Sequence, residues 1–380
     1  MRIGLNLLFL IPGEVGGTET YSTSLITALG QIDQENQYYL LINRESRNIP
    51  FPSQPNFHRV ICPIKATNRW IRFLWEQSIL PLQAKVLRLD LLHSLGYISP
   101  LILPCKSITT VHDLNFVSIP QFFSPFVLRV QKFFVEQTVK HVDHVIVVSE
   151  FVRDQLSRYL PADLEKISVI HEAPKQRNKE EGKEVIREDI CKRYGIKLPY
   201  IVAFSSLTPH KNITGLLEVF ARIVNDLEKG WQLVVVGHLP RTKPPLPEYC
   251  QNLGLNQGDA IFTGYLPDDQ VSVMLTHADL FVFPSFYEGF GLPLLEAMNA
   301  GVPVVCSSRG SLPEIAGDAA IFFDPADSQD MAGAILSVIR DISLRRALRE
   351  RGKVNLERFS WEKAAQKTLE VYKRVGTPMT

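Results

Sequence analysis

The chain has 380 residues, 45% hydrophobic and 21% charged, with a formal net charge of +1. That length favours two domains over one, because single cores stop growing at about 250–300 residues. The near-zero charge supplies no global field of the kind that marks a nucleic-acid binder, so no nucleic-acid partner is expected.

The opening stretch MRIGLNLLFLIPG has one basic residue, no small-residue cleavage site and a glycine turn leading into helix-like sequence. It predicts a buried strand over Arg2–Phe9, not a secretory signal. Further β-rich runs follow at Tyr38–Ile42, His58–Cys62, Leu91–Leu95, Ser107–His112, Val145–Ser149 and Ile167–Ile170. They are nearly continuous in apolar character, the pattern of strands covered on both faces of a parallel sheet. Pro174–Lys197, rich in Lys, Glu and Arg, breaks the rhythm and predicts a linker passing into an amphipathic helix.

The rhythm then restarts at Tyr200–Phe204, Gln232–Val236, Ala260–Thr263, Ala278–Pro284, Val302–Cys306 and Ala320–Phe323. Helical patterns intervene at Ile213–Leu227 and Gln329–Arg340. This βαβ alternation predicts an α/β fold of two doubly wound, Rossmann-like domains facing a central cleft. The expected boundaries are 1–173 for the first domain, 174–198 for the linker and first helix, and 199–359 for the second. The tail Ser360–Val375 has helical periodicity. Its pattern does not say where it packs, and a return to the first domain is one expected arrangement.

Five scattered cysteines, Cys62, Cys105, Cys191, Cys250 and Cys306, read as reduced core residues of a cytosolic protein. No apolar run reaches the roughly 18–20 residues that span a bilayer. No G-x-G-x-x-G opens either half, which argues against a dinucleotide-dependent dehydrogenase, and no Walker loop or Gly-x-Ser-x-Gly elbow is present. His141-Val-Asp143-His144 has metal-like spacing but runs straight into a strand, so a helix end is the preferred reading and no metal site is expected.

The richest chemistry lies in PSFYEGFGLPLLEAMNAGVPVV, residues 284–305. A buried strand ends at Pro284, and ligands of open α/β sheets gather beyond strand C-termini. Gly289 and Gly291 clear the turn, Pro293 suits the first helical position, and Gly301 with Pro303 ends the helix. Glu288 therefore precedes the helix, while Glu296 sits on its first turn and leans back toward the N-terminus. The positive end of the helix dipole lies between them and attracts an anion such as a diphosphate.

The stretch Glu288-Gly-Phe-Gly-Leu-Pro-x-x-Glu296-Ala resembles the E-x7-E motif of retaining glycosyltransferases of family 4 (glycosyl transferases group 1), which have the GT-B fold. His210-Lys211-Asn212, Gly237, Gly264-Tyr-Leu and Leu312-Pro-Glu-Ile follow the same family pattern in the second half. Gly16-Gly17-Thr-Glu19, His112-Asp113 and Ser149-Glu150 do so in the first. Arg72-Phe-Leu-Trp75-Glu-Gln77 and Thr110-Val-His-Asp-Leu114 look most like a branch of bacterial polysaccharide mannosyltransferases.

The resemblance implies roles. Lys211 would neutralise the donor diphosphate, Glu288 would contact the donor sugar and stabilise charge at its anomeric carbon, and His112 would face that sugar. Glu296 would accept from the ribose hydroxyls. Gly16, Gly17, Ser206, His210, Gly237, Gly264, Leu266, Gly289, Phe290, Gly291 and Leu292 complete the expected donor site. At Ser206 and His210 many members are more basic, so His210 is expected to substitute for an arginine, partly charged near neutrality because its reference pKa is about 6.5.

The expected activity is transfer of a hexose, mannose from GDP-mannose first, to a hydroxyl of a carbohydrate or lipid-linked acceptor, with retention and without metal or other cofactor. The expected location is cytoplasmic, peripheral at the inner face of the membrane. Alternatives are a nucleotide-sugar epimerase or hydrolase of the same fold, or a non-catalytic nucleotide-sugar-binding protein. Two aromatic and basic stretches, Lys65–Trp75 and Phe122–Phe134, bear on the membrane: Trp70, Ile71, Leu74 and Trp75 form one helical stripe beside Arg69 and Arg72. Core packing of the same helices is the competing reading.

Overall fold

The computed structural model describes residues 1–160, 164–175, 183–228 and 230–376. Residues 176–182 of the expected linker lie outside that set, and the helix Lys183–Tyr194 follows them. The chain divides into two compact units, Met1–Ala173 with Phe359–Thr380, and Pro174–Arg358.

The N-terminal unit is built on β1 (Arg2–Leu7), β2 (Gln37–Ile42), β3 (Phe57–Ile61), β4 (Leu91–Ser94), β5 (Lys106–Val111), β6 (His144–Val147) and β7 (Ile167–Val169). They form one sheet in the order β3-β2-β1-β4-β5-β6-β7, with every pairing parallel. Ile3, Leu5 and Leu7 bury one apolar face of β1, and consecutive Leu40, Leu41 and Ile42 make β2 apolar on both faces. Each such side chain contributes about 1.5–3 kcal/mol on burial.

The second unit repeats the plan with β8 (Tyr200–Ser205), β9 (Gln232–Gly237), β10 (Ala260–Gly264), β11 (Leu280–Phe283), β12 (Val304–Ser307) and β13 (Ala320–Phe323). Their order is β10-β9-β8-β11-β12-β13, again parallel. The helix Ile213–Ile223 sets Leu216, Leu217 and Phe220 into a core with Ile201, Val235 and Val282. Several predicted runs extend past their strands, so Phe9, Leu95, His112, Ser149 and Pro284 lie just beyond strand C-termini.

The tail forms the helix Trp361–Gly376 and packs on the helix Gly17–Ile32 of the N-terminal unit. Its buried Tyr372 hydroxyl lies 2.7 Å from His93 Nδ1. Arg374 donates to His144 Nε2 and to Ser168 Oγ, each at 2.9 Å. Within the metal-like triplet, His141 ends the helix Pro125–His141, Asp143 accepts from Lys106 Nζ at 2.8 Å, and His144 opens β6. No helix among the described residues is long and apolar enough to cross a membrane.

Candidate active site

In the second unit the chain winds from β8 outward to β10, then returns to the other side of β8 as β11, so β8 and β11 are neighbours. That reversal is a topological switch point, where the loops leaving two adjacent strands part and open a crevice. One loop carries Ser206–Lys211, the other Pro284–Gly291. They are stitched together by the Phe286 amide, which donates to the His210 carbonyl at 2.8 Å. Lys211 Nζ lies 2.7 Å from Glu288 Oε1 and 4.9 Å from the centroid of the Phe283 ring. Both side chains of the ion pair are largely shielded, with 15% and 12% of their surface exposed.

The Glu288 loop is held from behind by residues whose part the sequence left unread. Ser311 donates from Oγ to the carbonyls of Glu288, at 3.1 Å, and Phe290, at 2.9 Å, and its amide also donates to Glu288. Gly310 has a φ of +70°, and a Cβ there would lie 2.7 Å from the Glu288 carbonyl oxygen. Only glycine allows this approach without strain. Gly291, at φ +98°, caps the helix Leu292–Asn299, and a Cβ there would press on Leu312 at 2.6 Å. Pro293 takes the second helical position, not the first, because Leu292 already has helical geometry. A glycine just before the Leu312-Pro-Glu-Ile helix was the readable sign of this support.

The expectation that His210 substitutes for an arginine meets a buried environment in the ligand-free protein. Burial pushes its pKa down to about 4, with Lys211 adding to the effect and Glu288 opposing it. The imidazole is therefore neutral near pH 7, and the cation of this loop is Lys211. Ser206 turns its hydroxyl to Thr208 Oγ1 at 2.8 Å. Asn212 adopts a left-handed conformation and donates to the Pro325 carbonyl at 3.0 Å, which fixes the start of the Ile213–Ile223 helix.

Glu296 is half-buried on the helix Leu292–Asn299. Burial raises its carboxyl pKa, Lys175 pulls it back down, and Asp268 pushes it up again. Gly237 closes β9 and Gly264 closes β10. The side chains of Leu266, Phe290 and Leu292 are buried, so any ligand contact from them comes through backbone. Exposed beside Gly237 and Gly264, the rings of His238 and Tyr265 stack at 5.6 Å with an interplanar angle of 21°.

In the N-terminal unit Gly16 caps the helix that begins at Gly17. His112 follows β5, and both its ring nitrogens are occupied within the unit. Nε2 lies 2.8 Å from the Leu95 carbonyl and Nδ1 lies 3.1 Å from Glu172 Oε1. A carbonyl only accepts, so Nε2 carries a proton, and Nδ1 shares one proton with the carboxyl. Asp113, the next residue, accepts from the Tyr97 hydroxyl at 2.8 Å. Glu172 is buried, which raises its pKa against the pull of His112.

Two family descriptions match the chain in succession, Glycosyltransferase Family 4 over residues 15–173 and Glycosyl transferases group 1 over residues 187–355. The chain is similar to O-antigen chain mannosyltransferase B of Escherichia coli, 30% identical over 272 residues, 70% of each protein. In fold it is similar to sucrose-phosphate synthase from Thermosynechococcus elongatus, with a TM-score of 0.76 at 20% identity over 98% of both chains. It is also similar to Anabaena HepE, solved in complex with UDP-glucose, with a TM-score of 0.73 at 17% identity over 98% of this chain and 99% of that one. The chain thus belongs to glycosyltransferase family 4 and is a glycosyltransferase of the GT-B fold.

Proposed function

We propose that this enzyme transfers mannose from GDP-mannose, with retention, to a hydroxyl of a lipid-linked or growing cell-surface polysaccharide at the cytoplasmic face of a membrane. The observation that carries the reading is the Lys211–Glu288 ion pair, 2.7 Å long at the switch point of the second sheet. The mannosyltransferase name of the Escherichia coli relative supports the choice of sugar, and the complex of HepE with UDP-glucose supports a nucleotide-sugar as donor.

Each partner of the pair holds the other's place until the donor arrives. A diphosphate is a stronger partner for the Lys211 ammonium than one carboxylate, because it carries more charge. Once Lys211 turns to it, Glu288 is released toward the sugar, where its negative charge stabilises the cationic anomeric carbon. The bond from that carbon to the phosphate oxygen breaks, and a bond to the acceptor oxygen forms on the same face. The acceptor proton passes to the departing phosphate. The proposal uses no metal, since Lys211 and the helix N-terminus supply the positive potential.

A panel of nucleotide-sugars tested by thermal shift, followed by product analysis with a saccharide acceptor, tests the reading. GDP-mannose should raise the melting temperature most, and the product should keep the α configuration. Stabilisation by UDP-sugars alone would replace the donor. Donor turnover without acceptor would mark a hydrolase or epimerase, and binding without turnover on any acceptor a binding protein.

A further inference from the structure

The sheet of the N-terminal unit has its own switch point, between β1 and β4. Beyond these strand ends lies a pocket of about 610 Å³, within the roughly 300–1,000 Å³ of small-molecule sites. Its floor includes Phe9, packed so closely on Gly96 that a Cβ there would meet the ring at 2.6 Å. Its wall is aromatic and runs between two helices, Arg69–Val86 and Pro125–His141. Phe73 stacks on Phe134 at 5.3 Å, and Trp70 meets Phe126 at 6.0 Å. Trp70 and Phe126 are 56% and 62% exposed, so they form the mouth. Ile71 and Leu74, also exposed, continue the apolar surface along the first helix.

One charge in this pocket is poorly matched. Arg72 lines it, and its Nε is shielded from solvent with no hydrogen-bond partner among the described residues. The nearest carboxylate, Glu76, is 3.9 Å away, beyond hydrogen-bond range, and its facing oxygen is likewise unpartnered. Gln131 lines the same pocket with a buried, unpartnered Oε1. The carboxylate of Asp113, also at the pocket, is engaged by the Tyr97 hydroxyl and the Asn115 amide. The guanidinium carbon lies 4.9 Å from the centroid of the Phe73 ring, and a shielded guanidinium whose Nε lacks a bond favours an anionic ligand.

A saccharide fits these walls poorly. Aromatic faces take the C–H face of a sugar ring, but the many hydroxyls of a saccharide also need polar partners, and walls that are mostly aromatic and aliphatic supply few. An apolar chain beside an anionic group matches both the walls and the arginine.

We propose that this pocket binds the first segment of the apolar chain of a phosphate-bearing lipid, with Arg72 on the phosphate and the remaining chain leaving between Trp70 and Phe126. The proposal rests on the reading that the acceptor is lipid-linked, and it assigns the residues that hold the lipid.

Calorimetric titration of the full-length protein with farnesyl phosphate, farnesol and inorganic phosphate provides the test. Farnesyl phosphate should bind at least about tenfold more tightly than farnesol, and phosphate alone should not bind at matched concentration. Arg72→Met should bring farnesyl phosphate down to the affinity of farnesol. Val130→Trp, which fills the pocket, should abolish binding of both, with folding checked by near-ultraviolet circular dichroism. If that variant misfolds, Phe126→Ala at the exposed mouth should weaken both ligands at least about threefold. Undiminished farnesyl phosphate binding by Arg72→Met, or by whichever pocket variant folds, overturns the proposal. Anionic phosphatidylglycerol vesicles separate pocket binding from surface adhesion: if wild type takes up farnesyl phosphate only when bound to vesicles, the pocket is not the site. GDP-mannose titrated into the same proteins reports on the donor reading separately, since donor binding can fail while the lipid still binds.

Discussion

Lys211 and Glu288, 77 positions apart in sequence, form an ion pair of 2.7 Å because β8 and β11 lie side by side. Nothing local brings them together. The parallel sheet does so by placing the ends of two strands that are distant in sequence at one crevice.

Substituting either partner should harm the site in different ways. Lys211→Ala is expected to lower kcat/KM by about 100-fold or more, chiefly through lost transition-state charge stabilisation. Glu288→Gln should lower kcat with a smaller effect on donor affinity. In stability, each single change leaves one largely shielded charge unmatched and should cost about 2–3 kcal/mol, while the double variant costs less than the sum. A double-mutant cycle by thermal denaturation measures the coupling, and strict additivity would show that the pair is energetically idle.

Gly310→Ala is expected to destabilise the protein by at least about 2 kcal/mol and to depress activity further, since its Cβ would crowd the Glu288 backbone at 2.7 Å. Gly333→Ala serves as the control. It lies exposed within the helix Ser328–Arg340 and a Cβ there meets nothing within 4 Å, so it should stabilise by about 0.5–1 kcal/mol. Equal effects at both positions would remove the argument for Gly310.

Glu76 makes stability depend on pH. Burial raises its pKa from 4.5 to about 7, against the opposing pull of Arg72 and a hydrogen bond from Asn6. The folded state therefore binds a proton that the unfolded state has released between these values, so this contribution is complete below pH 4.5 and lost as pH rises through 7. The effect is roughly 3 kcal/mol over the window. Glu76→Gln should gain on wild type by about that amount between pH 4.5 and pH 8 in paired melting curves. A constant difference would mean that the acid is not raised.

His210 should act with the opposite sign. Its folded pKa of about 4 lies below the ordinary 6.5, so its stabilisation is present above 6.5 and lost as pH falls toward 4. Its ring resonances, followed by NMR in the ligand-free protein, should stay those of a neutral imidazole at pH 6. A midpoint near 6.5 would restore it as a candidate cation.

Tyr372→Phe is expected to cost about 1–3 kcal/mol, because it deprives the buried His93 Nδ1 of its partner at 2.7 Å. Hydrogen exchange should report faster opening of the Trp361–Gly376 helix in the variant. Unchanged protection would show that this helix is held by apolar packing alone.

Much of this protein is written in its local sequence. Near-continuous apolar runs such as Leu233–Val236 and Leu280–Phe283 are legible as buried parallel strands because both faces must be apolar. The glycines and the proline around Glu288 are legible as a helix start because backbone sterics act over a few residues. Tertiary structure alone decided the rest. Ser311 and Gly310 support the Glu288 loop, Glu172 occupies His112, the tail helix docks through Tyr372 on His93, and burial makes His210 neutral. Each depends on contacts between segments far apart in the chain or on exclusion of water, and neither is encoded in the spacing of neighbouring residues.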